Sequence, residues 1–96
     1  MGQLRYASDR IVEVDDRLLA HVEAAIISKL RRNESFALRL DDETGARTLW
    51  LSPATALMFD YAGPRPTISR PWLELLVETA NTPGGLRLVP EPPAPS

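Results

Sequence analysis

The 96-residue chain contains no cysteine, which excludes a disulfide framework and a thiolate metal site. Long apolar runs are also missing, and none approaches the roughly 18 residues that a membrane-spanning helix needs. The first ten residues lack the apolar segment of a secretory signal. We therefore expect a cytoplasmic protein without membrane contact.

Lysine is almost absent, because Lys29 is the single lysine among 11 basic residues. The formal net charge of −2 argues against a dedicated non-specific DNA binder, whose surface is usually basic. Guanidinium groups fit phosphate well. The arginines therefore either bind phosphate or simply reflect the overall composition of the chain.

Recognisable catalytic and metal-binding patterns are missing as well. The single histidine, His21, is predicted on the solvent face of a helix, with no serine or carboxylate placed beside it to make it a general base. The acidic run Asp41-Asp42-Glu43 lacks the ligand spacing of a calcium loop and indicates a solvated hairpin tip. We predict no catalytic residue, no metal site and no cofactor.

The clearest positive feature is an amphipathic helix over residues 15–33. Asp15 or Asp16 is a suitable N-cap, and Asn33 suits the left-handed position after the last turn. The apolar stripe has a spacing near 3.6 residues and must be buried. It comprises Leu19, Val22, Ile26 and Leu30. Glu23 lies near the stripe, where its carboxylate either reaches solvent or an arginine, or forms a buried or interfacial ion pair.

The remaining segments alternate apolar and polar residues as strands do. They lie at 4–7, 11–14, 35–41, 47–51, 56–62 and 86–89, and a second helix runs from about Pro71 to Asn81. The order β-β-α-β-β-β-α-β predicts an α+β fold with a mainly antiparallel sheet of five to six strands, residues 35–62 forming a meander and two helices packing on one face. We expect one domain over residues 1–89 and a disordered, proline-rich tail over 90–96.

The sheet face opposite the helices is the predicted interaction surface. Trp50 and Met58 would lie there on adjacent strands and are too large and apolar to be exposed without a reason. The whole face comprises Ala37, Arg39, Thr48, Trp50, Ala56, Met58 and Asp60, and Leu75 of the second helix is a further interface candidate. Arg39 of one chain could meet Asp60 of another, which predicts a homodimer.

A weaker candidate is an anion site before the second helix. A helix N-terminus offers free N–H groups, and Arg65, Ser69 and Arg70 lie close to this one in the sequence. The alternative interpretation is a rigid, proline-containing connection with an N-cap.

Three segments resemble a family of short actinobacterial proteins of unknown function. They are DDRLLAHVEAAIISKLRRNESFAL (15–38), TLWLSP (48–53) and WLELLVETANTPGGLRLVPEPP (72–93). Some members of that family carry the label "ATP-dependent DNA ligase". A ligase needs a lysine nucleophile in a K-x-D-G motif, whereas Lys29 lies in Ser28-Lys29-Leu30-Arg31. The resemblance therefore implies no catalytic residues.

These observations lead to three functional hypotheses. The first is a non-enzymatic interaction module that forms a homodimer and binds an unidentified protein partner. The second is an accessory protein that binds nucleic acid through its arginines. The third is a small enzyme, which would need a pocket that the sequence does not reveal.

Overall fold

The computed structural model describes residues 2–7, 10–42 and 45–93. Its elements are β1 (Gly2–Tyr6), β2 (Arg10–Val14), α1 (Asp16–Leu30), β3 (Phe36–Asp42), β4 (Gly45–Leu51), β5 (Leu57–Asp60), α2 (Arg70–Ala80) and β6 (Leu86–Arg87). The α+β class and the order of elements are confirmed. The side chains of the predicted acidic hairpin tip at 41–43 lie outside the described part of the structure.

The six strands form two sheets of three strands rather than a single sheet. We call them sheet A, with strand order β2-β1-β5, and sheet B, with order β4-β3-β6. The predicted meander is wrong, because β5 leaves β4 and pairs antiparallel with β1, placing Phe59 opposite Leu4. Alternation within β5 specifies which of its faces is buried, but it does not specify which strand it pairs with.

Helix α1 begins at its predicted cap, and it ends at Leu30, earlier than the predicted end near Asn33. The Asp15 carboxylate accepts hydrogen bonds from the backbone N–H groups of Arg17 (3.1 Å) and Leu18 (3.4 Å), so it satisfies two donors that have no partner within the helix. Asn33 has a φ of 59°, and the N–H of Glu34 returns to the Lys29 carbonyl at 3.2 Å, which closes the C-terminus.

The apolar stripes of the two helices meet in one core. Helix α1 packs against β1, α2 packs against β3 and β6, and the helices pack against each other. Leu19, Val22 and Ile26 are buried as predicted, while Leu30 is half-buried. The other buried core residues are Leu4, Val14, Ala25, Phe36, Leu38, Leu40, Leu51, Trp72, Leu76, Ala80 and Leu86.

His21 is not on the solvent face, because its side chain is fully buried. Its Nδ1 donates to the Arg17 carbonyl (2.7 Å), and its Nε2 accepts from the backbone N–H of Ser69 (2.7 Å). Its ring lies 4.3 Å from the Trp72 ring, centroid to centroid. The start of α2 covers this face of α1, and such a contact is invisible in the periodicity of α1 alone.

The C-terminal segment makes hydrogen bonds with both helices, whereas the sequence predicted a free tail. The last strand ends at Arg87 instead of Val89, the Val89 carbonyl accepts from Trp72 Nε1 at 2.9 Å, and Glu91 accepts two hydrogen bonds from Arg17 at 2.7 and 2.8 Å. Residues 94–96 lie outside the described chain. Within the described part, neither helix is long and apolar enough to cross a bilayer.

Candidate interaction surface

Sheet B has one face in the core and one outside it, because side chains alternate along each strand. On β3, Leu38 and Leu40 point into the core, which places Ala37 and Arg39 on the outside. The register puts Trp50 of β4 beside Ala37, and Thr48 of β4 and Arg87 of β6 on either side of Arg39. We call these five residues the Trp50 face.

Trp50 is the most exposed large apolar side chain of the described residues, with 60% of its surface accessible. Its carbonyl accepts a hydrogen bond from the Tyr6 hydroxyl at 2.9 Å, which ties β4 to sheet A. At the other edge, Gly85 has a φ of 83°, and a Cβ there would lie 2.5 Å from the Ala37 carbonyl oxygen. The backbone before β6 therefore lies directly against β3.

The Trp50 face carries two guanidinium groups, Arg39 and Arg87, with no carboxylate in ion-pair contact among the described side chains. Four other arginines do have carboxylate partners. Their pairs are Arg5–Asp60 (2.7 Å), Arg17–Glu91 (2.7 Å), Arg65–Glu23 (3.6 Å) and Arg70–Glu74 (3.6 Å).

Sheet A also has an outer face, and it carries Met58. Leu4 of β1 points into the core, so Gln3 and Arg5 point outward. The register forms one row of Ile11, Arg5 and Met58 and a second row of Glu13, Gln3 and Asp60. We call these six residues the Met58 face. Ile11 and Met58 are 51% and 55% exposed.

Two predicted interface contacts need correction. Trp50 and Met58 are exposed as expected, but they lie on different sheets rather than on adjacent strands. Asp60 binds Arg5 of its own chain at 2.7 Å, so it is not a free partner for Arg39 of another chain. Leu75 is 37% exposed on α2 and belongs to neither outer face.

The two outer faces are neighbours across a cleft between the sheets. One groove, of about 440 Å³, is lined by Glu13 and Asp15 on one side and by Arg39 and Arg87 on the other. A second groove, of about 340 Å³, is lined by Ile11 of the Met58 face and Thr48 of the Trp50 face. The outer faces therefore flank the same cleft.

The residues of the predicted anion site are engaged elsewhere. The Arg65 guanidinium lies 3.6 Å from the Glu23 carboxylate and 5.3 Å from the Tyr61 ring centroid, whereas Arg70 is paired with Glu74 and largely exposed. Ser69 is the N-cap of α2, but its hydroxyl makes no capping hydrogen bond. An anion would have to displace two carboxylates, and the anion site stays a prediction.

Glu23, which the sequence places near the stripe of α1, is largely buried and forms a polar cluster. The Tyr61 hydroxyl donates to its carboxylate, and the Arg65 guanidinium lies 3.6 Å from the same carboxylate oxygen. Burial, followed by the hydrogen bond to Glu23, holds the pKa of Tyr61 well above its ordinary value of 10.0. The cluster ties α1 to the segment after β5. Its phenol stays protonated at neutral pH.

No group of three or more acidic, cysteine or histidine side chains placed to hold a metal ion occurs in the described parts of the chain. A family model matches residues 1–91, which is nearly the whole sequence. The chain belongs to DUF7882, a domain of unknown function. No match was found among the curated proteins or the solved structures. The DUF7882 match covers both outer faces, and its description assigns no activity to them.

Sequence reasoning placed Ala37, Arg39, Thr48 and Trp50 together because β3 and β4 are joined by a short hairpin. It missed Arg87, which reaches Arg39 through a parallel pairing of strands separated by half the chain. It also missed Arg5 and Ile11, which belong to the same face as Met58. Alternation along β1 and β2 marks both as outward residues, but the partner strand had to be known.

Proposed function

We propose that this protein is a non-enzymatic protein-interaction module that associates with itself and acts through the Trp50 face. The observation that carries the proposal is the exposed Trp50 ring on an uncovered sheet face, beside two guanidiniums that have no carboxylate partner among the described side chains. Tryptophan and arginine are enriched at the centres of protein interfaces. Removing this ring from water stabilises a complex in proportion to the apolar area that is buried.

Self-association is tested through Trp50 itself. Trp72 is buried in the core, so a Trp72→Phe background leaves Trp50 as the only tryptophan. We expect its emission to shift to shorter wavelength as the concentration rises through the micromolar range, together with a rise in mass by sedimentation velocity. A constant emission spectrum and a monomer mass over the whole range would refute the proposal.

A second candidate is binding of single-stranded nucleic acid, favoured by the same arrangement of one exposed aromatic ring beside two arginines. Bases stack on such rings while guanidiniums neutralise phosphates. This candidate expects quenching of Trp50 fluorescence by a single-stranded oligonucleotide, with an affinity that falls steeply as salt increases. An oligonucleotide that does not quench Trp50 fluorescence at low salt would exclude this candidate.

A further inference from the structure

The proposed self-association leaves open which surface of the second copy meets the Trp50 face. The Met58 face matches it row by row. On each sheet, neighbouring rows are two residues apart along the strands, which is a distance of about 6.7 Å. The Trp50–Ala37 row and the Ile11–Arg5–Met58 row are the apolar rows, and each is followed by a charged row.

The charged rows have opposite sign. Arg39 and Arg87 occupy the charged row of the Trp50 face. In the charged row of the Met58 face, Asp60 is bound to Arg5 of its own chain, and Glu13 is the carboxylate left to meet them. Glu13 has no ion-pair partner among the described side chains. Complementary rows of this kind align two surfaces and disfavour incorrect pairings.

The apolar rows are complementary in chemistry as well. Arg5 is held in place by Asp60 at 2.7 Å and lies between Ile11 and Met58. A guanidinium fixed in this way is a platform on which an indole ring stacks, and methionine sulfur makes favourable contacts with aromatic rings. Two Trp50 faces against each other would instead gather four guanidiniums without a described carboxylate.

From this match we propose that the protein forms a closed, two-fold dimer in which the Met58 face of each copy covers the Trp50 face of the other. Both faces flank one cleft. A two-fold axis that runs along this cleft places the Met58 face of each copy opposite the Trp50 face of the other copy. Such an arrangement closes at two copies and leaves neither exposed apolar row in water. This inference rests on the proposed self-association.

Two single substitutions and their mixture test the pairing. Trp50→Glu and Met58→Glu each place a carboxylate in one apolar row, and both positions are more than half exposed, so folding should persist by circular dichroism. Each variant alone should be a monomer at concentrations where the wild type is a dimer. Ile27→Glu, a change at a 42% exposed position of α1, is the matched control and should stay dimeric.

The mixture is decisive because each variant retains the face that the other has lost. Unlabelled Met58→Glu added to ¹⁵N-labelled Trp50→Glu should shift amide signals of β1, β2 and β5. In the reverse labelling, the signals of β3, β4 and β6 should shift. Because only one of two contacts remains, we expect the mixed dimer to be at least about tenfold weaker than the wild type, and amide shifts detect association in that range.

The outcomes separate the two claims. A monomeric wild type refutes both the proposed function and this pairing. A Met58→Glu variant that dimerises like the wild type, while Trp50→Glu does not, leaves self-association standing and overturns the pairing in favour of two Trp50 faces in contact. A mixture of the monomeric variants without amide shifts also overturns it. Shifts produced by an oligonucleotide and not by the second variant would assign the Trp50 face to nucleic acid.

Discussion

At the scale of single residues, His21 shows how one side chain joins two helices. A carbonyl can only accept and a backbone N–H can only donate, so the contacts to Arg17 and Ser69 define a neutral imidazole with its proton on Nδ1. The ring also packs on Trp72. The N–H of Ser69, a half-buried residue at the start of α2, thus donates to α1 rather than within its own helix.

His21→Leu should therefore destabilise the protein by about 1–3 kcal/mol, because the N–H of Ser69 loses an acceptor whose side chain is fully buried. Urea unfolding measures the loss. Ser69→Ala is the control: the hydroxyl makes no capping bond, so we expect a change within about 0.5 kcal/mol. Equal losses in the two variants would show that the hydroxyl, and not His21, secures the start of α2.

At the scale of elements, β6 is the shortest strand and depends on the glycine before it. Leu86 is fully buried, yet only Leu86 and Arg87 pair with β3. The chain reaches that pairing through Gly85, whose backbone is in the left-handed region and lies against Ala37. Glycine is the residue that adopts this conformation without a steric penalty.

Gly85→Ala should displace β6 from β3 and cost more than about 2 kcal/mol, since a positive φ and a backbone clash add together. Thermal or urea unfolding measures the loss. Gly63→Ala is the matched control, because a Cβ at Gly63 meets nothing within 4 Å. It should be neutral or slightly stabilising. A wild-type stability for Gly85→Ala would mean that β6 tolerates a shift away from β3.

The segment after β6 is joined to α1 through the ion pair between Arg17 and Glu91. The hydrogen bond from Arg17 holds the pKa of Glu91 below its ordinary value of 4.5. A carboxylate whose pKa is lowered in the folded state contributes stability above its unfolded pKa. That contribution is lost as the pH falls through the folded pKa.

A carboxyl ¹³C titration by NMR should consequently give Glu91 a midpoint below 4.5, and Arg17→Met should raise that midpoint to the ordinary value. Below the midpoint, the amide signals of residues 90–93 should approach those of a free peptide, because the pair no longer holds the segment. An identical midpoint in Arg17→Met would show that the contact to Arg17 does not persist in solution.

The strengths and failures of sequence reasoning become clear at this scale. Periodicity and capping residues located α1 to within a residue at its start, because Asp15 and Asn33 act on their immediate neighbours. The pairing of β5 with β1 and of β6 with β3 could not be predicted, since it depends on contacts between residues far apart in sequence. The same reason explains why Trp50 was assigned correctly to the Ala37 face and Met58 was not.

At the scale of the whole molecule, the core is enclosed by two small sheets that each expose a face. Both helices pack on the inner side of the sheets. Within the described chain, no other element therefore covers the outer face of either sheet. A 96-residue domain buries a limited fraction of its surface, and Trp50, Met58 and Ile11 are the three most exposed large apolar residues of the described chain. A second copy supplies the missing layer in the proposed dimer.

The division of the strands between the sheets also governs the order in which the chain can be built. Sheet A is complete only when β5, which ends at Asp60, pairs with the first two strands. Sheet B is complete only when β6, which ends at Arg87, pairs with β3. A ribosome must therefore release the chain as far as Asp60 before sheet A can be complete, and as far as Arg87 before sheet B can be complete. The hairpin of β1 and β2 precedes β5 in the chain, so one edge of β1 stays unpaired until β5 has been synthesised, and such edges attract other chains. We therefore expect this edge of β1 to be open to incorrect pairing during synthesis.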